Sequence, residues 1–461
     1  MRGHRPTGPR PARAGCYAFD TMASSDGAAG HGPAPPVPPG ELEAAAARFV
    51  PPRLLELLGV HDISQLRLGA STERKMTILF SDICGFTALC ESMRPEETFS
   101  FINSFLEAME PVVTAHGGYV DKYIGDAIMA LFPDRADDAA DAGVAMLGAL
   151  ERFNASRGRD DRPAIRVGVG LNTGVVMLGI VGGPDRLEGT VVSDAVNLAS
   201  RVEGLTRKYG APLLCGERTI YSLSEAGRHP ARYLDRIRVK GKRQPQSVYE
   251  LYGADAAATL AAKSETLPLF EQAVAWYHLR RIDRAEPLFR SCLERAPEDA
   301  PARFYLERCR AFREEGRFEG TGELQDALEW RPEFELGVEE IDAQHRGLVR
   351  EMNALTGMLR GERGGSFGDV LDFLASYAVE HFGSEERLME EHGYPLAGPH
   401  EVEHGNFVAA YGRLKEEILS GAHEPGFLLF RAQVFLLDWF VTHSTGTDRH
   451  LVRFLRERGV R

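Results

Sequence analysis

Seven side chains near the C-terminus constrain the fold most: His345, His381, Glu385, His400, His404, His443 and Asp448. Helical patterns cover about 340–360, 367–391, 399–420 and 425–443 or beyond, joined by short connections containing Gly or Pro. His381 and Glu385 stand i,i+4 on one helix face, and His400 and His404 do so on the next. His345 lies on the first helix. His443 and Asp448 are five apart, too far round for one regular face, so the fourth helix is expected to end or distort there. All four helices then contribute inward ligands, which predicts an antiparallel four-helix bundle. A lone helical His is ordinarily a surface or core residue. Here the count decides: eight of the 14 histidines fall after 329, and five fit one arrangement while His392, His423 and His450 do not. Five imidazoles with two carboxylates suit a borderline transition metal, iron foremost, although ligand type alone does not separate iron from manganese or zinc.

A second constellation, Asp82 and Asp126, offers only oxygen ligands, which suit a hard cation such as Mg²⁺ handling phosphates. It lies in a segment, 74–252, that alternates strands and helices. "KMTILFSDI" reads as a buried strand ending near Asp82. "YVDKYIGDAIMALF" reads as two strands around a Gly125-Asp126 turn. Residues 95–116, 137–156 and 194–209 read as helices. "AIRVGVGLNTG" and "VVMLGIVGG" read as strands, and "VKGKRQPQSVYELYG" as a closing hairpin. Two carboxylates at one sheet edge can hold two divalent ions for a phosphoryl displacement. Taken alone, such a pair is more often structural, because Asp favours caps and turns.

Length and composition set the frame. At 461 residues the chain needs more than one core. A net charge of −13 argues against nucleic acid or anionic lipid as partners. No apolar run reaches the roughly 20 residues of a membrane span, since Arg431 and Asp438 interrupt the longest. Six cysteines without C-x-x-C spacing fit a reducing cytoplasm, and no signal peptide is legible. Residues 1–40 are rich in Pro, Gly, Ala and Arg and are expected to be disordered. Met22 is an alternative start to Met1. Residues 41–73 form a short helical entry segment. In 263–316, Trp276, Ala285, Phe289 and Pro297 stand at the spacings of one tetratricopeptide helix pair, the alternative being a plain helical linker. One such repeat needs neighbours for stability, so its faces must pack on flanking domains or a partner chain.

"FSDICGFT", "VDKYIGDAIMALF" and "VVSDAVNLASRVEGLT" resemble, in order and spacing, the signature segments of the class III adenylyl/guanylyl cyclase catalytic domain. The resemblance implies a ferredoxin-like α/β domain over 74–252 that works as a head-to-tail homodimer with active sites at the interface. It makes Asp82 and Asp126 the ligands of two Mg²⁺ or Mn²⁺ ions, with the Ile83 carbonyl assisting. It makes Asn197 and Arg201 the pair that orients the ribose and stabilises charge on the α-phosphate. Lys240 in "VKGK" matches the lysine on the terminal phosphates. Lys122 matches the purine-reading lysine of adenylyl cyclases, and Thr190 stands where many of them carry Asp. Lysine donates to the adenine N1 acceptor but not to the protonated N1 of guanine, so ATP is favoured over GTP. Two positions depart from the pattern or stand out. Ser193 replaces a usual Gly, where an N-cap serine is expected to be tolerated. Cys84 is an oxidation target or, as buried cysteines usually are, an inert thiol.

"LEWRPEFELGVEEIDAQHRGLV", "HFGSEERLMEEHGYP", "HEVEHGNF" and "WFVTHSTGTD" resemble bacterial hemerythrin-like domains over 329–461. That resemblance implies two non-haem irons bridged by Glu385 and Asp448, with one open position for O₂. Ser444 replaces an apolar residue common beside the fourth-helix His, which loosens the pocket or admits water. The joint expectation is an adenylyl cyclase that responds to O₂ or redox state. Nitric oxide is an alternative signal. The alternative functions are a guanylyl cyclase, or a constitutive cyclase carrying an O₂ or iron storage module.

Overall fold

The computed structural model describes residues 45–159, 162–183, 186–224, 227–237, 245–320 and 328–460. A short helix, α1 (Pro52–Leu57), precedes the first strand, and Pro52 sits in its first turn, where the missing N–H costs nothing. An eight-stranded sheet follows in the order β2-β3-β1-β4-β6-β8-β7, with β5 pairing only with β4. The strands are β1 (Ser71–Ile83), β2 (Tyr119–Ile124), β3 (Ala127–Phe132), β4 (Val167–Gly183), β5 (Arg186–Val192), β6 (Leu213–Gly216), β7 (Ala231–Ile237) and β8 (Gln246–Leu251). Among the described residues, only β4 and β6 pair in parallel.

The side chains of β1 divide by the period of two that a pleated strand imposes. Leu79 and Ile83 pack on α3 (Pro95–Ala115) and α4 (Ala136–Arg159), beyond the short α2 (Phe86–Glu91). Met76, Ile78 and Phe80 join Leu54 and α5 (Asp194–Tyr209) on the other face. Gly170 permits the close approach of α5 to β4, because a Cβ there would lie 2.2 Å from the Glu203 backbone nitrogen. The expected strands "AIRVGVGLNTG" and "VVMLGIVGG" run on as one strand, β4. The expected closing hairpin starts upstream: β8 pairs with β7, and 238–244 lie outside the described residues.

After α6 (Glu217–Ser222), three helices bridge onward: α7 (Ala257–His278), α8 (Ile282–Arg295) and α9 (Ala300–Glu315). They seat on β7 and β8 through fully buried charge pairs. Arg232 binds both Asp299 and Glu250, Lys263 binds Glu250, and Arg308 binds Asp235. The C-terminal helical region holds α10 (Glu339–Leu359), α11 (Phe367–His392), α12 (Ala397–Ser420), α13 (Pro425–Ala432), α14 (Asp438–His443) and α15 (Arg449–Glu457). Two π turns, Gln433–Leu437 and Ser444–Asp448, splice the last three into one continuous helix. Val50–Arg461 is one compact unit. A single apolar cluster runs from Leu234 and Val248 through Phe270, Phe289 and Tyr305 to Trp439 and Phe440.

Candidate functional site

Asp82 occupies the penultimate position of β1, opposite Gly168 of β4. Asp126 follows Gly125, whose φ of +66° supplies the left-handed residue that the β2–β3 turn needs. The turn carries Asp126 back to β1, where its Oδ2 accepts from the Ile83 N–H at 3.2 Å. Burial, reinforced by Asp82, pushes the Asp126 carboxyl up to about 6. Glu203 of α5 stands in the same field, pushed up to about 7 by burial and then by Asp82. Arg207 donates to Asp82 Oδ2 at 2.8 Å and lies 3.5 Å from Glu203. Crowded carboxylates that resist ionising together form a set that a divalent cation would relieve. Sequence reasoning missed Glu203 and Arg207. Their signal was the α5 periodicity, which places 203 and 207 on one face, i,i+4. Burial also raises the Cys84 thiol, away from the reactive thiolate.

Lys122 of β2 and Thr190 of β5 meet: Lys122 Nζ donates to Thr190 Oγ1 at 3.2 Å and lies 3.4 Å from Glu188. Asn197 and Arg201 lie on the exposed face of α5. Asn197 is ten residues, roughly 15 Å of helix axis, from Arg207, the α5 residue that touches Asp82. One chain therefore does not bring Asn197 to its own carboxylate pair. Lys240 lies outside the described residues. Ser193 caps α5: its backbone is extended, and its Oγ accepts from the Ala195 N–H and donates to the Val175 carbonyl.

The seven C-terminal residues converge in one buried cluster. Two overlapping groups have ligand atoms within 4.8 Å of one another: Glu385, His400, His404 and His443, and His345, His381, Glu385 and Asp448. Glu385 Oε2 faces His404 Nε2 (3.2 Å) and His400 Nε2 (3.4 Å), while its Oε1 faces His381 Nε2 (3.8 Å). Asp448 Oδ1 faces His443 (2.9 Å) and His400 (3.3 Å), and its Oδ2 faces His345 (3.2 Å). Each carboxylate thus turns one oxygen to each half of the cluster. The expected distortion between His443 and Asp448 is the π turn Ser444–Asp448. It brings residues five apart onto one face, where a regular α-helix would set them 140° apart.

Both oxygens of Glu385 and Asp448 and both nitrogens of His345 are buried without hydrogen-bond partners. That cost is anomalous in a finished core and is removed if these atoms ligate metal ions, so the donor set fits a metal pair. The outward ring nitrogens are held by residues that sequence reasoning missed. His381 Nδ1 lies 3.0 Å from Gln344 Oε1, His404 Nδ1 2.9 Å from Glu386 Oε1 and His443 Nδ1 2.8 Å from Glu403 Oε2. Such partners fix a ligand ring's orientation and tautomer. Gln344 and Glu386 adjoin ligands in sequence, and Glu403 lies between two, which was their only signal.

The histidine–carboxylate cluster abuts the sheet domain. Thr442, beside His443, donates to Glu217 Oε1 (2.6 Å). Asp438 accepts from Arg236 (2.5 Å) and Ser247 (3.1 Å). Asn406 donates to the carbonyls of Tyr221 and Leu223.

Residues 69–253 match the family described as the adenylate and guanylate cyclase catalytic domain, and residues 336–455 match the hemerythrin HHE cation binding domain. The chain thus carries a class III cyclase catalytic domain and, in its C-terminal part, a hemerythrin domain. An adenylate cyclase of Anabaena cylindrica is 43% identical over 210 residues, covering 44% of this chain and 42% of that protein. A terminal-differentiation-specific adenylate cyclase of Dictyostelium discoideum is 33% identical over 275 residues, covering 58% of this chain and 13% of that protein. The chain thus spans less than half the length of these relatives. Among solved structures, the adenylyl cyclase CyaB from P. aeruginosa is 30% identical, with 39% of this chain and 95% of that chain covered and a TM-score of 0.36. No helix among the described residues is long and apolar enough to cross a membrane.

Proposed function

We propose that this chain is an adenylate cyclase, converting ATP to 3′,5′-cyclic AMP and pyrophosphate, and that a metal pair in its hemerythrin domain regulates it by O₂ or redox state. The contact of Lys122 with Thr190, in the sheet that sets Asp82 beside Asp126, carries the choice of substrate. A relative named adenylate cyclase at 43% identity supports it.

Asp82 and Asp126, with the Ile83 carbonyl, would hold two Mg²⁺ or Mn²⁺ ions. Bound there, such ions supply charge neutralisation to the phosphates and acidify the ribose 3′-hydroxyl. Lys122 donates to adenine N1, steadied by Thr190. Asn197 orients the ribose, Arg201 meets the charge that grows on the α-phosphate, and Lys240 holds the terminal phosphates. Asn197 stands well along α5 from its own carboxylate pair, so a head-to-tail homodimer in which each chain lends α5 to the other accounts for the arrangement. Exposed Met177, Val181, Leu187 and Val192 on β4 and β5 offer an apolar surface for it.

The C-terminal helices form the hemerythrin-type four-helix bundle. His345, His381, His400, His404, His443, Glu385 and Asp448 would hold two irons, which when bound would supply reversible O₂ and one-electron chemistry. The helices over 263–316 act as a tetratricopeptide-like connector that packs on β7 at one side and on α13 at another, where Arg431 reaches Glu271. The described cysteines are free thiols, in keeping with a cytoplasmic setting.

Purified protein given Mg²⁺ or Mn²⁺ with ATP or GTP, the product identified, tests the reading. Cyclic AMP is the expected product. Asp82→Ala should cut turnover by roughly a hundredfold or more, the scale for losing a preorganised electrostatic contact at the reacting group. An Asp82→Ala protein of wild-type turnover contradicts the assignment.

A further inference from the structure

Three of the five imidazoles have a side-chain partner on the outward nitrogen, and one of those partners is anchored differently from the others. Gln344 and Glu386, which serve His381 and His404, belong wholly to the helical region. Glu403, which serves His443, does not stand alone. Its Oε2 accepts from His443 Nδ1 (2.8 Å) and Thr447 Oγ1 (2.9 Å), and its Oε1 accepts from Lys75 Nζ at 2.5 Å. Lys75 lies on β1, in the sheet domain, and also donates to the Pro399 carbonyl at 3.1 Å, one residue before His400. The Lys75 and Glu403 side chains are 11% and 8% exposed, so water screens this pair little. Two strand positions earlier, Glu73 is gripped by Arg453 and faces His450 at 3.4 Å. The start of β1 is thus clamped to the metal-bearing helices, and its far end carries Asp82, seven residues or roughly 24 Å along the strand.

We infer that Lys75 is a positioning residue of the metal centre, contributed by the catalytic domain: it fixes the Glu403 carboxylate that holds His443, and so couples the metal pair to the strand that bears Asp82. This rests on the reading of the C-terminal cluster as an iron pair. A buried carboxylate that loses its ammonium partner must move or find another donor, and His443 moves with it. Coupling of this kind is reciprocal, so nucleotide and Mg²⁺ bound at the sheet edge alter the iron centre as the iron centre alters turnover.

The test uses full-length iron-loaded protein: wild type, Lys75→Met, Lys75→Arg, Glu403→Gln and the double variant K75M/E403Q. The first readout is the rate of iron loss to a chelator, with the optical spectrum as its companion. Lys75→Met is expected to speed iron loss roughly tenfold, within the range for removing a ligand's hydrogen-bond partner, and Lys75→Arg to restore most of the difference. The double variant should lose iron no faster than Glu403→Gln alone, because both changes break one connection. Wild-type iron retention in Lys75→Met, or effects of the two single changes that multiply, overturns the inference. The second readout is the cyclase rate in reduced against oxidised samples, a difference expected to shrink in Lys75→Met. A wild type with no such difference contradicts the regulatory reading, while the iron-loss comparison still decides the role of Lys75. A full difference retained in Lys75→Met overturns the coupling.

Discussion

At the scale of the residue, environment rather than identity gives these carboxyls their character. Asp126 and Glu203 are raised by burial and by the charge of Asp82, the condition in which a cation is welcome. Lys122 is the residue that separates ATP from GTP in this account. Lys122→Glu would put an acceptor against adenine N1, an acceptor itself. ATP turnover should fall on the order of a hundredfold or more, since sites built around a hydrogen bond discriminate strongly. Competition between ATP and GTP measures this, and an unchanged preference contradicts the role. A second prediction concerns the domain interface. Glu217 is pushed up to about 7 by burial and then by Asp438, and Asp438 is pushed up to about 6 by burial, with Arg236 and Arg218 facing the pair. A carboxyl raised in the docked state keeps its proton there between its free value, about 4.3, and about 7. The docked protein then binds more protons, so docking is strongest at the acid end and weakens as pH rises through that window. Melting temperature followed from pH 5 to 8 should fall in wild type and change less in Glu217→Gln. Equal slopes contradict it.

At the scale of the element, helical ligand spacing was legible because i,i+4 pairs advertise a face, as with His381 and Glu385 or His400 and His404. The five-residue step to Asp448 was legible as an anomaly, and the π turn is its resolution. A π turn is an α-helix with one extra residue. Deleting Thr445 should therefore leave Asp448 i,i+4 from His443 and preserve metal binding. Inserting one alanine after Thr445 turns Asp448 about 100° further round and should abolish it. Metal content of the two variants, by elemental analysis, checks this, and the reverse ranking contradicts it. The carboxylate pair was far less legible. Asp82 and Asp126 are 44 residues apart, and only the resemblance of whole segments joined them. Glu403 and Lys75 carried no sequence signal together, because 328 residues separate them and nothing local records a domain interface.

At the scale of the molecule, the sheet, the three bridging helices and the C-terminal helices share one apolar cluster. Removing the C-terminal helices would uncover Tyr233, whose ring packs edge-on against Phe430, so point variants are a cleaner probe of regulation than truncation. The shared core also weighs against a merely tethered storage module, since packed elements pass discrete rearrangements to one another. The most direct test of the central claim follows cyclic AMP formation from ATP and Mg²⁺ by the iron-loaded protein, first reduced under anaerobic conditions and then oxidised. The account predicts cyclic AMP in both samples at rates that differ severalfold. Equal rates, or no cyclic nucleotide in either sample, would contradict it.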